Sequence, residues 1–240
     1  MLKNIWIIAK KELNIYFNTS IAYIFLTLFL IVGNWLFWQN FYLFNQATMR
    51  SYFSLLPWIF LLIIPAVTMR IWSEEKKSGT IELLLTLPIK DIEIVLGKFL
   101  SGMIFIFIAL LLTLASPIVI ASMGNLDWGP VLGGYLGALF LGGAYLSLGL
   151  FISSINKNQI TSFIVSLTAC FLFMIMGADF VLIGVLKFLV SFMKLSSVTY
   201  HFNSISRGVI DFRDIFYYLS FIYVFLLLNI NALRSRHWKD

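Results

Sequence analysis

Charged residues are spaced so that six long stretches of the chain contain no Asp, Glu, Lys or Arg. Each stretch holds at least 19 residues and is rich in Leu, Ile, Phe and Val. A helix needs about 20 apolar residues to cross the hydrocarbon core of a bilayer, so each stretch is long enough to span a membrane. The charge-free stretches are 13–49, 51–69, 99–126, 128–156, 158–178 and 215–233.

The composition excludes a soluble globular domain. Hydrophobic residues make up 60% of the chain and charged residues 12%, against roughly 45–50% and about 25% in typical globular proteins. No stretch alternates with the period of two expected of barrel strands, and in lipid only helices and closed barrels satisfy every backbone group. We therefore predict an all-α polytopic membrane protein with six transmembrane helices, near residues 21–38, 52–70, 99–123, 131–155, 160–182 and 214–233.

The basic residues predict the orientation of the chain. With the N-terminus in the cytoplasm, twelve of the 17 Lys and Arg residues fall on the cytoplasmic side, as the positive-inside bias requires. Both termini are then cytoplasmic. The net charge of +6 is explained by contact with anionic lipid head groups, without any nucleic acid. The basic residues left outside are Arg50, Lys187, Lys194, Arg207 and Arg213.

Residues 1–20 have the pattern of an amphipathic helix lying in the cytoplasmic interface. The predicted apolar stripe consists of Trp6, Ala9, Leu13 and Phe17. The opposite face carries Lys3, Asn4, Lys10, Lys11 and Asn14. The alternative is an irregular basic tail that only sets the topology.

The cytoplasmic connection 71–98, between the second and third spans, predicts two short helices joined by a sharp elbow. Gly79 ends the preceding helix, and Ser78 or Thr80 can cap the next one. That helix covers residues 81–87 and stops before Pro88, whose ring disfavours helical geometry at the preceding residue.

The short helix of this elbow exposes apolar side chains outside the bilayer, namely Leu83, Leu84, Leu85 and Leu87. An exposed apolar helix at the cytoplasmic surface favours a protein partner. The alternative is that these leucines pack on the ends of the chain's own spans.

The outer segment 183–213 is too long for a turn and too apolar for a solvated loop. It predicts a hairpin that either re-enters the outer leaflet or lies in the interface. Both alternatives stay open.

Patterns typical of catalysis and metal binding are absent from the sequence. It contains no G-x-x-x-x-G-K-[ST] phosphate loop, no H-E-x-x-H, no Cys/His cluster and no G-x-S-x-G. Cys170 lies inside a predicted span and Asp179 near the outer end of one, where we expect its carboxylate to reach water. No catalytic, cofactor-binding or metal-binding residue is therefore predicted in this chain.

Two spans carry packing features. Pro57 and Pro65 are expected to kink or unwind the second span, because each removes a backbone donor. In the fourth span Gly134, Ala138 and Gly142 repeat every four residues, a spacing that lets helices approach closely. Whether the neighbour of this stripe belongs to the same chain or to a second copy stays open.

These elements together resemble the permease subunit of ABC-type-2 exporters. The stretch 72–98 resembles the cytosolic signature of that family through Glu74-Glu75, Ser78-Gly79-Thr80, Glu82, Leu84-Leu85, Pro88 and Gly97-Lys98. The stretch 200–219, which contains HF-x-S-I-S-R-G-V-I-D-x-R-D, is most similar to the gliding-motility-associated branch.

The resemblance implies a subunit of the bacterial inner membrane whose elbow helix, the coupling helix, sits in a groove of a separate ATP-binding subunit. Two ATP-binding subunits, which bind ATP and Mg, would work with two permeases, the second being another copy or a homologue. An accessory membrane or periplasmic subunit is compatible with this arrangement, and this chain itself needs no cofactor. The competing function is a non-transporting membrane anchor for an ATPase-driven mechanical or assembly complex.

The resemblance also implies roles for individual residues. The contact with the ATP-binding subunit would be formed or shaped by Glu74, Glu75, Ser78, Gly79, Thr80, Glu82, Leu84, Leu85 and Pro88. The outer hairpin would be ordered by His201, Arg207, Gly208, Asp211 and Asp214.

Overall fold

The structure is a computed structural model that describes residues 1–44, 46–82, 88–184, 186–209 and 211–235. Over these residues the chain forms helices and their connections, without a β-strand. The helices are α1 (Leu2–Asn18), α2 (Ser20–Phe44), α3 (Arg50–Lys77), α4 (Asp91–Leu112), α5 (Ala115–Met123), α6 (Trp128–Ile155), α7 (Gln159–Ile175), α8 (Asp179–Leu182), α9 (Lys187–Ser196), α10 (Val198–Ile205) and α11 (Phe212–Arg234).

Five helical segments of the described chain are long and apolar enough to cross a membrane. They contain five of the six predicted spans and extend past the predicted bounds at almost every end. The third segment consists of α4 and α5, which are separated at Thr113 and Leu114. The five segments are Ser20–Tyr42, Arg50–Lys77, Asp91–Met123, Trp128–Ile155 and Phe212–Arg234.

The remaining predicted span, 160–182, does not form one continuous helix. Helix α7 ends at Ile175, and a turn at 176–178 leads into the single turn of α8. The turn lies where a distant part of the chain approaches closely. A Cβ atom at Gly177 would lie 2.6 Å from the Cβ of Ser197, so the small residue admits the start of α10 at the point where α7 ends.

Helix α1 packs along α4, and its buried face differs from the predicted stripe. Its buried residues are Ile5, Ile8, Ala9 and Glu12, whereas Trp6 is 55% exposed. The Cβ of Ile8 would lie 2.7 Å from a Cβ at Gly97, so the helices meet at a glycine. The predicted stripe is the face expected to lie on the bilayer, and it stays a prediction: Trp6 is exposed, Leu13 and Phe17 are half-buried, and Ala9 is buried. The burial of Glu12 was not predicted, and it depends on pairing with a lysine from α4.

Helix α6 occupies the centre of the fold and contacts α3, α4, α7, α10 and α11. Its small-residue stripe packs against helices of the same chain. A Cβ at Gly134 would collide with the ring of Phe53 in α3, and one at Gly142 would lie 3.0 Å from Ile106 in α4. Ala138 is fully buried. The stripe therefore lets the phenyl ring and the isoleucine fit against the backbone of α6.

Helix α3 is unbroken from Arg50 to Lys77 although Pro57 and Pro65 lie inside it. Of the two expected effects, the prolines do not unwind this span, and the kink stays a prediction. Membrane helices tolerate proline because neighbouring groups satisfy the freed carbonyls, and both prolines are buried against the core. The continuous helix carries the chain from the central core to the cytoplasmic elbow.

Candidate functional site

The elbow between α3 and α4 is organised by one buried ammonium group. Lys98, which is 1% exposed, places its Nζ 2.9 Å from Oε1 of Glu12 and 2.8 Å from Oε1 of Glu75. The same Nζ donates to the carbonyl of Ile71 at 3.3 Å and lies 4.7 Å from the ring centroid of Trp72. An ammonium has three donors, so these three acceptors satisfy it fully. We call Lys98, Glu12 and Glu75 the Lys98 cluster.

The Lys98 cluster joins three helices, because Glu12 belongs to α1, Glu75 to α3 and Lys98 to α4. Helix α1 is held at a second point, where Nδ2 of Asn4 donates to Oε2 of Glu93 at 3.2 Å. The successive contacts pair residue 4 with 93, 8 with 97 and 12 with 98. Helices α1 and α4 therefore run side by side in the same direction.

The end of α3 is also tied to the end of α6. The hydroxyl of Ser153 accepts from the backbone N–H groups of Trp72 and Ser73, at 3.2 and 3.3 Å, and donates to the carbonyl of Met69. Nζ of Lys76 donates to the carbonyl of Ser154. These bonds connect the helix that enters the elbow to the central helix of the fold.

Gly79 ends α3 with a φ angle of +73°, in the region that favours glycine. The hydroxyl of Ser78 donates to the carbonyl of Glu74 at 2.9 Å and that of Thr80 to the carbonyl of Glu75 at 3.4 Å. Both side chains thus supply donors to the last carbonyls of α3, which lack partners within the helix. The predicted cap of the following helix depends in part on residues outside the described ones.

Residues 80–82 are helical, and of these Ile81 is buried while Glu82 is exposed. Leu83, Leu84, Leu85 and Leu87, on which the predicted partner contact rested, lie outside the described residues. Pro88 is exposed just before α4. The described elbow therefore presents an exposed and largely polar surface, formed by Glu74, Lys77, Ser78, Gly79, Thr80, Glu82, Pro88 and Lys90.

The acidic residues predicted at the elbow have different surroundings. The carboxylate of Glu74, about half exposed at 49%, accepts two bonds from Arg70, at 2.9 and 3.0 Å. Glu75 is turned inward to Lys98, and Glu82 faces solvent. Glu74 and Glu82 are thus available to a partner, whereas Glu75 positions the helices behind them.

The predicted outer residues form a second buried group, which we call the His201 pair. Nδ1 of His201 lies 2.7 Å from Oδ1 of Asp214, and Nε2 lies 3.1 Å from the carbonyl oxygen of Leu195. The imidazole also stacks on the ring of Tyr217, with 4.0 Å between the centroids. A carbonyl only accepts, so the contact with Leu195 is a hydrogen bond in the states of the imidazole that carry a hydrogen on Nε2.

The His201 pair connects α10 to the start of α11. Tyr218 strengthens this connection, because its hydroxyl donates to the carbonyl of Val198 at 2.7 Å. Asp211 caps α11 by accepting from the N–H of Arg213 at 3.0 Å, and Gly208 forms the intervening turn with a φ of +86°. The outer helix α10 is therefore held to the membrane-spanning α11 by polar bonds.

A cavity of about 670 Å³ opens beside the His201 pair. Arg207 lines it, and within the described residues this side chain forms no ion pair. The structure thus brings His201 and Asp214 together and leaves Arg207 at the cavity wall.

The most important residues of the elbow were absent from the predicted site. Lys98 was noted only as part of the sequence signature, and Glu12 and Ser153 were not noted at all. Glu12 is the single acidic residue in the otherwise basic segment 1–20, and this was the available signal. An acid in a basic amphipathic helix indicates that a counter-charge lies nearby. A lysine at the start of an apolar span supplies this counter-charge.

The elbow lies inside the region of the chain that a known family matches. The family model described as ABC-2 family transporter protein matches residues 6–233, which is nearly the whole chain. The chain belongs to the ABC-2 transporter family. No curated relative matches it.

Membership of the ABC-2 family identifies the chain as the permease of an ABC transporter and as a multi-pass membrane protein. Permeases of this family work with an ATP-binding subunit. The match includes the elbow, the Lys98 cluster and the His201 pair, because all of them lie between residues 6 and 233.

Proposed function

We propose that this ABC-2 permease is an exporter subunit whose elbow receives the force of an ATP-binding partner. The observation that carries the proposal is the Lys98 cluster, which joins α1, α3 and α4 directly behind the exposed turn at 78–82. A push on this turn is transmitted to the joined helices as rigid-body motion. Without these bonds the elbow would bend locally and the motion would be lost.

The exposed acids Glu74 and Glu82 are the proposed contact residues for the partner. They lie on the two sides of Gly79. A partner that binds both residues therefore contacts the end of α3 and the start of the next helix. Leu84 and Leu85 are proposed to complete this surface as apolar anchors. The partner is expected to present basic side chains around an apolar groove.

The proposed topology has six transmembrane helices and two cytoplasmic termini. Helix α7 supplies the remaining span, since its 17 residues measure about 25 Å at about 1.5 Å per residue. This lies at the lower end of what crosses a membrane, where about 17 residues suffice. An even number of spans then returns the chain to the side on which most Lys and Arg residues lie.

The proposed assembly contains two permeases and two ATP-binding subunits in a bacterial inner membrane. ATP and Mg are bound by the partners, because the sequence of this chain contains no phosphate loop. The α1 and α10 segments are proposed to lie at the cytoplasmic and outer ends of each permease.

A non-transporting anchor of the gliding type is the second candidate. The observation that favours it is the similarity of stretch 200–219 to the gliding-motility-associated branch, since this stretch includes the His201 pair. An anchor would use the firmly held α10 to bind an accessory protein. Substrate flux in vesicles containing the complete complex separates the two candidates, because an anchor produces no flux.

The proposal is tested by purifying the chain from its own cells and identifying the proteins that remain bound. An ATP-binding subunit in equal amount is expected. The double variant Glu74→Lys, Glu82→Lys should then lose the partner or its coupled ATPase activity. The matched control is Asp179→Lys, which reverses an exposed acid at the outer end of α7. Unchanged recovery and ATPase activity in the double variant would show that the partner binds elsewhere.

A further inference from the structure

A cavity of about 260 Å³ lies beside the Lys98 cluster, between α1, the start of α2, the end of α3 and α4. Its two ends differ in character. The end toward the elbow is lined by Glu12, Arg70, Glu74 and Glu75, whereas the inner end is apolar. Beside the inner end lies a slot of about 20 Å³ that shares the walls Phe25, Val67 and Phe105 with it. We call the larger cavity, together with the slot beside it, the elbow cleft.

The polar end of the elbow cleft has an excess of negative charge. Arg70 is matched by Glu74, to which it makes two hydrogen bonds. Glu12 and Glu75, by contrast, share the single ammonium of Lys98. Among the described residues at this end, three carboxylates (Glu12, Glu74 and Glu75) face two cations (Arg70 and Lys98), an excess of one negative charge. A further cation would lower the cost of burying that charge.

Two buried oxygen atoms beside the cleft have no hydrogen-bond partner in the part of the chain that the structure describes. They are Oε2 of Glu75 and the phenolic oxygen of Tyr16. Both residues line the cavity. Burial raises the pKa of the Tyr16 phenol above its usual range, so the group stays neutral and its oxygen can accept a hydrogen bond. Both oxygens are acceptors that the wall of the cleft encloses, so neither is open to the cavity itself.

We propose that the elbow cleft binds a single-chain amphipathic ammonium compound from the cytoplasmic leaflet. The ammonium group lies at the polar end of the cleft, against the carboxylate side chains of Glu74 and Glu75 that line it. The alkyl chain lies against Phe25, Val67 and Phe105, where the cleft is apolar. An ammonium matches the site because it has three donors and no acceptor, and it neutralises the excess charge.

The volume and charge exclude other amphiphiles from the elbow cleft. Ligand pockets usually measure about 300–1,000 Å³, so a cavity of about 260 Å³ admits one chain and not a diacyl lipid. An anionic head group is repelled by the excess carboxylate, and a neutral head group leaves that charge uncompensated. The inference rests on the cleft alone and does not require the ATP-binding partner or the direction of transport.

Photo-labelling of the purified full-length chain in maltoside micelles tests this site. The probe is dodecylammonium with a diazirine on its chain, and the labelled peptides are located by mass spectrometry. Labelling is expected to saturate and to concentrate on peptides from α1, the start of α2 and the end of α3. Unlabelled dodecylammonium should compete, whereas dodecyl sulfate and dodecanol of the same chain length should not.

Two variants test the head and the tail of the site separately. Glu75→Gln removes the excess charge and is expected to lower labelling by about tenfold or more, since bonds to charged groups are worth about 1.5–3 kcal/mol. Ala22→Leu fills the apolar end, because Ala22 lines the cleft and is 2% exposed. The control is Ala121→Leu, a partly buried alanine of α5 that does not line the cleft.

The outcomes distinguish the inference from its alternatives. Loss of labelling in Ala22→Leu with full labelling in Ala121→Leu supports the site, provided both variants elute as the parent does. Equal competition by dodecyl sulfate would overturn the choice of an ammonium ligand. Labelling spread evenly over lipid-facing helices would show that the cleft is not a binding site, whatever the ATP-binding partner does.

Discussion

Glu75 and Lys98 are 23 positions apart in the chain, and 2.8 Å separates their charged atoms. The pair closes the elbow, because Glu75 belongs to the helix that enters it and Lys98 to the helix that leaves it. Residues 76–97 are thus contained in a loop whose base is an ion pair. A force applied to the tip of this loop reaches both helices at the same point.

Replacing Lys98 by Met should destabilise the protein by about 3–5 kcal/mol, because two buried carboxylates lose their counter-charge. Melting of the purified protein in detergent measures the change. The control is Lys11→Met on the exposed face of α1, which should be nearly neutral. Adding Glu12→Gln and Glu75→Gln to Lys98→Met should recover much of the lost stability. No restoration would mean that packing of the lysine stem, rather than its charge, stabilises the site.

Replacing Gly79 by Ala should distort the elbow, because left-handed backbone costs an L-residue about 1–2 kcal/mol. Space is not the reason, since a Cβ at Gly79 meets no atom within 4 Å. Recovery of the ATP-binding partner measures the effect. Gly184→Ala is the matched control, because that glycine is equally open and has no positive φ. Gly79→Asn should preserve partner recovery, and a loss equal to that of the alanine variant would contradict the backbone explanation.

Replacing Gly134 by Ala should lower the melting temperature, because the added methyl group collides with the Phe53 ring. Overpacking of this kind costs about 1–3 kcal/mol. Gly129→Ala is the control, since its Cβ would meet only Asp127 at 3.4 Å. The pair Gly134→Ala, Phe53→Leu should recover part of the loss. If the loss of melting temperature is unchanged in the double variant, the stripe packs against a neighbour other than Phe53.

Replacing Asp214 by Asn should weaken the attachment of α10 to α11. The change removes the charge-assisted bond to His201, for which about 1.5–3 kcal/mol is typical. Hydrogen exchange of the α10 amides measures this attachment. The same substitution at Asp211 is the control, because Asn caps a helix as well as Asp does. Equal exchange in both variants would show that the His201 pair does not hold α10.

The sequence was sufficient to predict the elements whose limits are set locally. Five spans follow from charge-free stretches, because lipid rejects charge at every position of a membrane-spanning helix. The end of α3 at Gly79 follows from the conformational freedom of glycine. In each case the deciding residues lie inside the element itself.

The errors and omissions concern features that involve distant residues. The end of α7 lies where Ser197 approaches Gly177, and the burial of Glu12 in α1 depends on Lys98. Apolar periodicity cannot reveal that an acid is buried when its partner lies 86 positions away. The Lys98 cluster was missed for the same reason, although its members stood at conspicuous positions in the sequence.

The side-by-side arrangement of α1 and α4 has a consequence for how the protein is made. Helix α1 leaves the ribosome before α4, so Glu12 does not meet its counter-charge until Lys98 has been synthesised, 86 positions later. The first two spans are therefore complete before α1 has its final binding surface. Biogenesis must keep this amphipathic helix apart from other apolar surfaces until the third span emerges, which makes α1 a late-docking segment despite its early synthesis.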